Sequence, residues 1–171
     1  MAVSIDRAAA SVQLTGHDNY GQVEPNYLPR EGVYGQTPAA DTIDVLEQGM
    51  FVKMDASKGT LGFEGDGAWM LVFNEEKLYD ERKQMHRDFA LKREDFYDGV
   101  LVPRVYHLEA GNRYTTNMVA KGSYSVGDVL VPGADGVLAA GAKGDGLALQ
   151  VIKETTLPDG QPAVQVMVIA E

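Results

Sequence analysis

The chain has 171 residues, 44% hydrophobic and 23% charged, enough for one domain with a core or a modest domain plus an extended arm, and too ordinary for wholesale disorder. A formal net charge of −10 sets a field that repels phosphate backbones and anionic membranes, so neither nucleic acid nor a membrane is expected as a partner. There is no Cys, which excludes disulfides, thiolate metal sites and thiol nucleophiles.

Near the N-terminus, Asp6, Arg7 and Gln13 interrupt any apolar core of signal-peptide length, so synthesis in the cytoplasm without export is expected. Residues 1–45 read as an extended arm. Asn19-Tyr20-Gly21, Glu24-Pro25-Asn26-Tyr27, Pro29-Arg30-Glu31-Gly32, Tyr34 and Thr37-Pro38 follow one another without helical or strand periodicity. Tyr20, Tyr27 and Tyr34 are spaced along it as candidate anchors for a neighbouring protein surface. Composition favours a flexible tail over an arm laid extended across neighbouring subunits; in either case removing Met1 to Asp41 is expected to leave the rest folded and to weaken assembly.

Residues 46–171 read as a β-rich domain. Met50 to Met54 and Ala68 to Phe73 are apolar runs of strand length, joined by a Gly-rich reversal, and are expected to pair. Trp69 is expected to fill the core. Residues 74–98 form a charged insertion. Leu78, Met85, Phe89 and Phe96 recur at spacings of seven, four and seven, which fits one face of a helix, while Phe89-Ala90-Leu91 and Phe96-Tyr97 also allow a long loop with short strands.

Beyond Asp98-Gly99, Val100 to Leu108 and Arg113 to Val119 flank a turn at Ala110-Gly111-Asn112 and predict a hairpin, with Tyr106 and Tyr114 as a cross-strand aromatic pair and as further interface candidates. A second hairpin is predicted from Tyr124–Val131, the turn Pro132-Gly133-Ala134-Asp135-Gly136 and Val137–Ala140. A third pairs Gly146–Lys153 with Ala163–Ala170 across Leu157-Pro158-Asp159-Gly160-Gln161. Val164, Val166 and Val168 alternate with Gln165, Met167 and Ile169, a pattern apolar on one face and only partly polar on the other.

Catalytic and metal motifs are fragmentary. His86-Arg87-Asp88 matches the start of a kinase catalytic loop without the other kinase segments. Asp55-Ala56-Ser57-Lys58-Gly59 opens like a calcium loop, but Thr60 and Asp66 stand where Gly and Glu are needed, so a turn is expected. His17, His86 and His107 have no ligand spacing, Ser123 and Ser125 read as turn residues, and the carboxylates among Glu75–Asp98 lie beside Lys and Arg as surface ion pairs. No catalytic residue, cofactor or metal is assigned.

Val126-Gly127-Asp128-Val129-Leu130-Val131 followed by Ala134-Asp135-Gly136-Val137-Leu138 resembles the small β-barrel-like capsid decoration proteins of tailed phages. Barrel-sandwich domains such as lipoyl carriers share the pattern, but their Asp-Lys hairpin tip is missing here, Lys143 in Gly141-Ala142-Lys143-Gly144 being its only near match. Trp69 to Met118, with Phe73-Asn74-Glu75-Glu76, Phe89 to Asp95, Pro103-Arg104-Val105-Tyr106 and Tyr114-Thr115-Thr116-Asn117, is similar to virion structural proteins that coat the major capsid shell. The resemblance implies a non-enzymatic cement protein on the capsid surface of a virion, made in the host cytoplasm. Its partners would be the major capsid protein and further copies of itself as a trimer or dimer.

The expectation is thus a mainly β chain: a small β-barrel or β-sandwich with an extended N-terminal arm and one charged helix or long loop in the middle. A carbohydrate-binding or host-attachment module using Trp69 and the tyrosines is the competing reading, and a hydrolase using the Glu75–Asp98 carboxylates a third.

Overall fold

The structure, a computed structural model, describes residues 2–5, 23–27, 37–74, 90–157 and 160–171, with side chains left aside at 24–27 and 95. The described residues are mainly β. In chain order the strands are β1 (Val3–Ile5), β2 (Val23–Tyr27), β3 (Val45–Glu47), β4 (Phe51–Asp55), β5 (Thr60–Gly62), β6 (Trp69–Val72), β7 (Ala90–Lys92) and β8 (Val105–His107). They continue with β9 (Arg113–Thr116), β10 (Gly122–Tyr124), β11 (Val129–Pro132), β12 (Leu138–Ala140), β13 (Ala148–Thr156) and β14 (Pro162–Ala170). A six-stranded sheet runs β12-β11-β13-β14-β9-β2 and a four-stranded sheet β5-β4-β6-β8, while β1 pairs with β10 and β3 with β7. The arrangement is sandwich-like, and no closed barrel forms among the described residues.

Strict alternation in β6 explains the layering. Leu71 and Phe73, with Trp69 partly buried, enter a core shared with Phe51, Tyr106, Tyr114, Leu130, Leu149, Val164 and Val166, so the two large sheets face each other across it. Met70 and Val72 point the other way, into a second core with Val52, Leu46, Leu61, Leu91, Leu101 and Met118. A strand buried on both faces has no polar positions to offer, which is why this run reads as continuous apolar sequence.

The layers are tied at defined points. Gln48 extends the ladder beyond Val72 with its side-chain amide: Nε2 donates to the Asn74 carbonyl and Oε1 accepts from the Asn74 amide, each at 2.7 Å. The β11–β12 turn docks on β4 through the Phe51 amide, which donates to the Gly136 carbonyl at 2.7 Å. Gly136 has φ of 75°, and a Cβ there would run into the Phe51 carbonyl and the Phe63 ring, so this contact requires glycine.

Three expectations are corrected. The described parts of the arm are built into the domain. β1 pairs antiparallel with β10, Val3 opposite Tyr124, and β2 forms the edge of the six-stranded sheet against β9. Ile5 lies in the main core at 4% exposure, and Ala39 and Ile43 lie in the second at 3% and 4%. Removing Met1 to Asp41 would therefore strip core as well as arm.

Secondly, 100–119 is not a hairpin. β8 pairs with β6 and β9 with β14 and β2, because the intervening turn carries the chain between layers. That turn is railed to β14, the Gly111 amide donating to the Val168 carbonyl and the Val168 amide to the Asn112 carbonyl, both at 3.0 Å. Thirdly, the reversal between β4 and β6 contains β5, which the glycines concealed.

Within 74–98, positions 75–89 lie outside the described residues, and with them Leu78, Met85, Phe89 and His86-Arg87-Asp88. The remainder is β7 and a 3-10 turn, Arg93–Asp95, with Phe96 packed inward on the second core. Arg93 holds this region together. Its guanidinium donates to the carbonyls of Gly99, of Ala40 at 2.8 Å and of Ile43 at 2.7 Å, while its backbone amide donates to the Asp44 carbonyl at 2.8 Å. Asp41 and Asp44 stand 3.6 Å from the guanidinium.

Because Ala would leave three carbonyls without their donor, Arg93→Ala is expected to lower unfolding free energy by about 2–4 kcal/mol. Urea denaturation measures this. A loss under about 0.5 kcal/mol would mean that Arg93 does not pin the segments.

Candidate functional site

Each tyrosine named from sequence as a contact residue has a distinct fate. Tyr20 and Tyr34 lie outside the described residues, and Tyr27 is placed by its backbone at the end of β2. Tyr106 is 8% exposed with its ring centroid 6.0 Å from that of Phe73, and Tyr114 is 0% exposed. Both are core residues that this fold does not present to a partner, and their strands belong to different sheets, so they form no cross-strand pair.

Tyr114 is chemically unusual. Among the described residues its buried hydroxyl has no hydrogen-bond partner, and desolvation holds its pKa well above the ordinary 10.0. Tyr124 contrasts with it: that hydroxyl donates to the Ala120 carbonyl at 2.6 Å.

Trp69 is only partly buried. Lys53, its register partner on β4, places Nζ 4.6 Å from the ring centroid, and the indole packs against the main core. The ring is thus engaged by the protein itself, leaving no open platform for a sugar.

The Asp55–Gly59 segment is the expected turn. Asp55 Oδ1 accepts from the Ser57 amide at 3.0 Å, the Ser57 hydroxyl at 2.6 Å and the Lys58 amide at 3.2 Å, and Lys58 Nζ lies 3.0 Å from Oδ2. The Ser57 and Lys58 hydrogen bonds pull the Asp55 carboxyl down to a pKa of about 2. Its oxygens are engaged by these local donors. Ser123 lies within β10 and not in a turn, whereas the Ser125 amide donates to Asp128 Oδ2 at 2.8 Å in the turn that precedes β11. Lys143 sits on an exposed loop between β12 and β13, which do not pair with each other.

A cleft of about 340 Å³ opens beside the four-stranded sheet, lined by Thr37, Met54, Leu61, Ala68, Met70 and His107. His107 faces Met70 directly across the β6–β8 pair. The lining is mostly aliphatic and thioether, and among the described lining residues His107 alone is ionisable. No group of three or more His, Asp or Glu side chains suited to a metal occurs among the described residues. No described helix is long and apolar enough to cross a membrane.

Exposed apolar surface lies elsewhere. On the outer face of the six-stranded sheet Val129, Gln150 and Met167 stand in one row, with Val131, Ile152 and Ile169 beside them, all half-exposed. On the turn after β7, Tyr97 is fully exposed at 109%, and Val100 is exposed at 38%. Sequence reasoning missed Tyr97, although the flanking Glu94-Asp95 and Asp98-Gly99 mark a solvated turn in which an aromatic has no core to join.

Comparison with protein-family models, curated proteins and solved structures gives no match.

Tyr114→Phe removes a buried hydroxyl that has no partner, so we expect stability at pH 7 to rise by about 1 kcal/mol. The folded-state pKa is raised, so above pH ~10 the unfolded chain loses a proton that the folded chain retains, and stability falls with pH. The variant should lack this share of the alkaline decline. Chemical denaturation at pH 7 and pH 11 measures both effects; a loss at pH 7 would mean that the hydroxyl is hydrogen-bonded in solution, and an unchanged alkaline slope that its pKa is not raised.

Proposed function

We propose that the chain is a non-enzymatic structural protein of a virion that binds the outer surface of a phage capsid lattice and stabilises it. The observation that carries the reading is strand addition. Residues near the N-terminus complete sheets whose other members lie far along the chain, β1 on β10 and β2 on the open side of β9. Backbone pairing to a sheet edge is also a means by which separate chains are held together, because main-chain hydrogen bonds form along the edge largely independently of the side chains.

Two further features support it. The outer face of the six-stranded sheet carries the half-exposed valines and isoleucines described above, which a lattice contact would cover. The charge of −10 keeps crowded copies on a particle surface from clustering. The glycan-binding reading loses its main support, since Trp69 is engaged by Lys53 and the core.

In this reading the purified protein binds assembled capsid shells saturably, at a stoichiometry fixed by lattice symmetry, and raises the temperature at which shells disassemble. Cosedimentation and scanning calorimetry of shells with and without the protein test it. Failure to bind shells at micromolar concentration, or binding with no change in shell melting, would refute it.

A further inference from the structure

We infer that the Tyr97 turn is a preformed anchor that docks into an apolar slot ringed by Lys and Arg on a partner protein. The inference rests on the proposed virion role for the partner's identity, the capsid shell protein, but the geometry of the anchor stands on its own residues.

Among the described residues Tyr97 is the one aromatic side chain left fully in solvent. Its backbone, by contrast, is tightly held. The Phe96 amide donates to the Arg93 carbonyl at 3.2 Å, the Gly99 amide to the Phe96 carbonyl at 3.0 Å, and the Val100 amide to Asp98 Oδ1 at 3.2 Å. The Arg93 guanidinium also donates to the Gly99 carbonyl, and Phe96, partly buried, packs against the second core. An exposed aromatic on a constrained turn loses little conformational freedom on binding, and this favours contribution to affinity over simple surface decoration.

The surrounding charge selects the partner. Asp41, Asp44 and Glu94 show side-chain exposures of 105%, 85% and 75%, and Asp98 is exposed too, whereas Lys92 and Arg93 are each only 22% exposed. Carboxylates therefore face outward and the cations are turned in. A rim of this sign, on a chain carrying −10 overall, disfavours docking on a second copy through the same patch and disfavours phosphate-bearing surfaces. It complements a basic protein surface.

The test titrates assembled shells of the capsid protein with the wild type, Tyr97→Ser, Glu94→Gln and, as a control elsewhere on the surface, Val126→Ser, whose side chain is 60% exposed. Urea denaturation should give one stability for all four, since each site is exposed. Tyr97→Ser should weaken shell binding about 30-fold, Glu94→Gln should reduce its sensitivity to salt, and Val126→Ser should bind as the wild type does. Wild-type binding that Tyr97→Ser leaves intact would overturn the anchor and leave the virion role standing. A wild type that binds no shell would overturn the virion role and, with it, the partner assigned here.

Discussion

Burying both faces of β6, inside the four-stranded sheet, is the constraint on which the rest of the molecule depends. The residues of β6 and the one that follows alternate without a polar position, sending Trp69, Leu71 and Phe73 to one core and Met70 and Val72 to the other. Each fully buried aliphatic side chain contributes about 1.5–3 kcal/mol, but only if something covers it. The six-stranded sheet covers one face; β3, β7 and the segments around Ala39, Ile43 and Leu101 cover the other.

That requirement shapes the chain's course. Covering both sides from a short polypeptide forces repeated crossings, so β8 and β9, neighbours in sequence, end in different layers. Where crossings meet, polar groups bond locally: the Gln48 side chain to the Asn74 backbone, the Arg93 guanidinium to three carbonyls, the Phe51 amide to the Gly136 carbonyl. One of these pins, Arg93, also holds the surface turn that carries Tyr97, so a contact needed for covering a core also constrains the backbone beneath an exposed aromatic. Pairing over such long separations is slow to form, because loop closure precedes any gain from contact.

Sequence legibility followed locality. The two C-terminal hairpins were readable, since Asp135-Gly136 and Gly160 supply turn chemistry between alternating apolar residues, and β11–β12 and β13–β14 pair as expected. Pairing of β4 with β6 was likewise readable, although β5 was hidden among glycines. The arm was misread because Val3–Ile5 and Val23–Tyr27 have no periodicity long enough to register, and their partners lie far away in sequence. Tyr106 and Tyr114 illustrate the limit for surface residues. Nothing in their neighbours distinguishes a tyrosine that anchors a partner from one that fills a core, and the structure puts both inside.

Native-state amide hydrogen exchange tests the two-faced middle layer most directly. If that sheet is sealed on both sides, the hydrogen-bonded amides of β4 and β6 exchange only through global unfolding, with the same opening free energy as those of β13 and β14. Early exchange across β4 and β6, while β13 and β14 remain protected, would contradict the account, because it would mean that the four-stranded sheet opens independently.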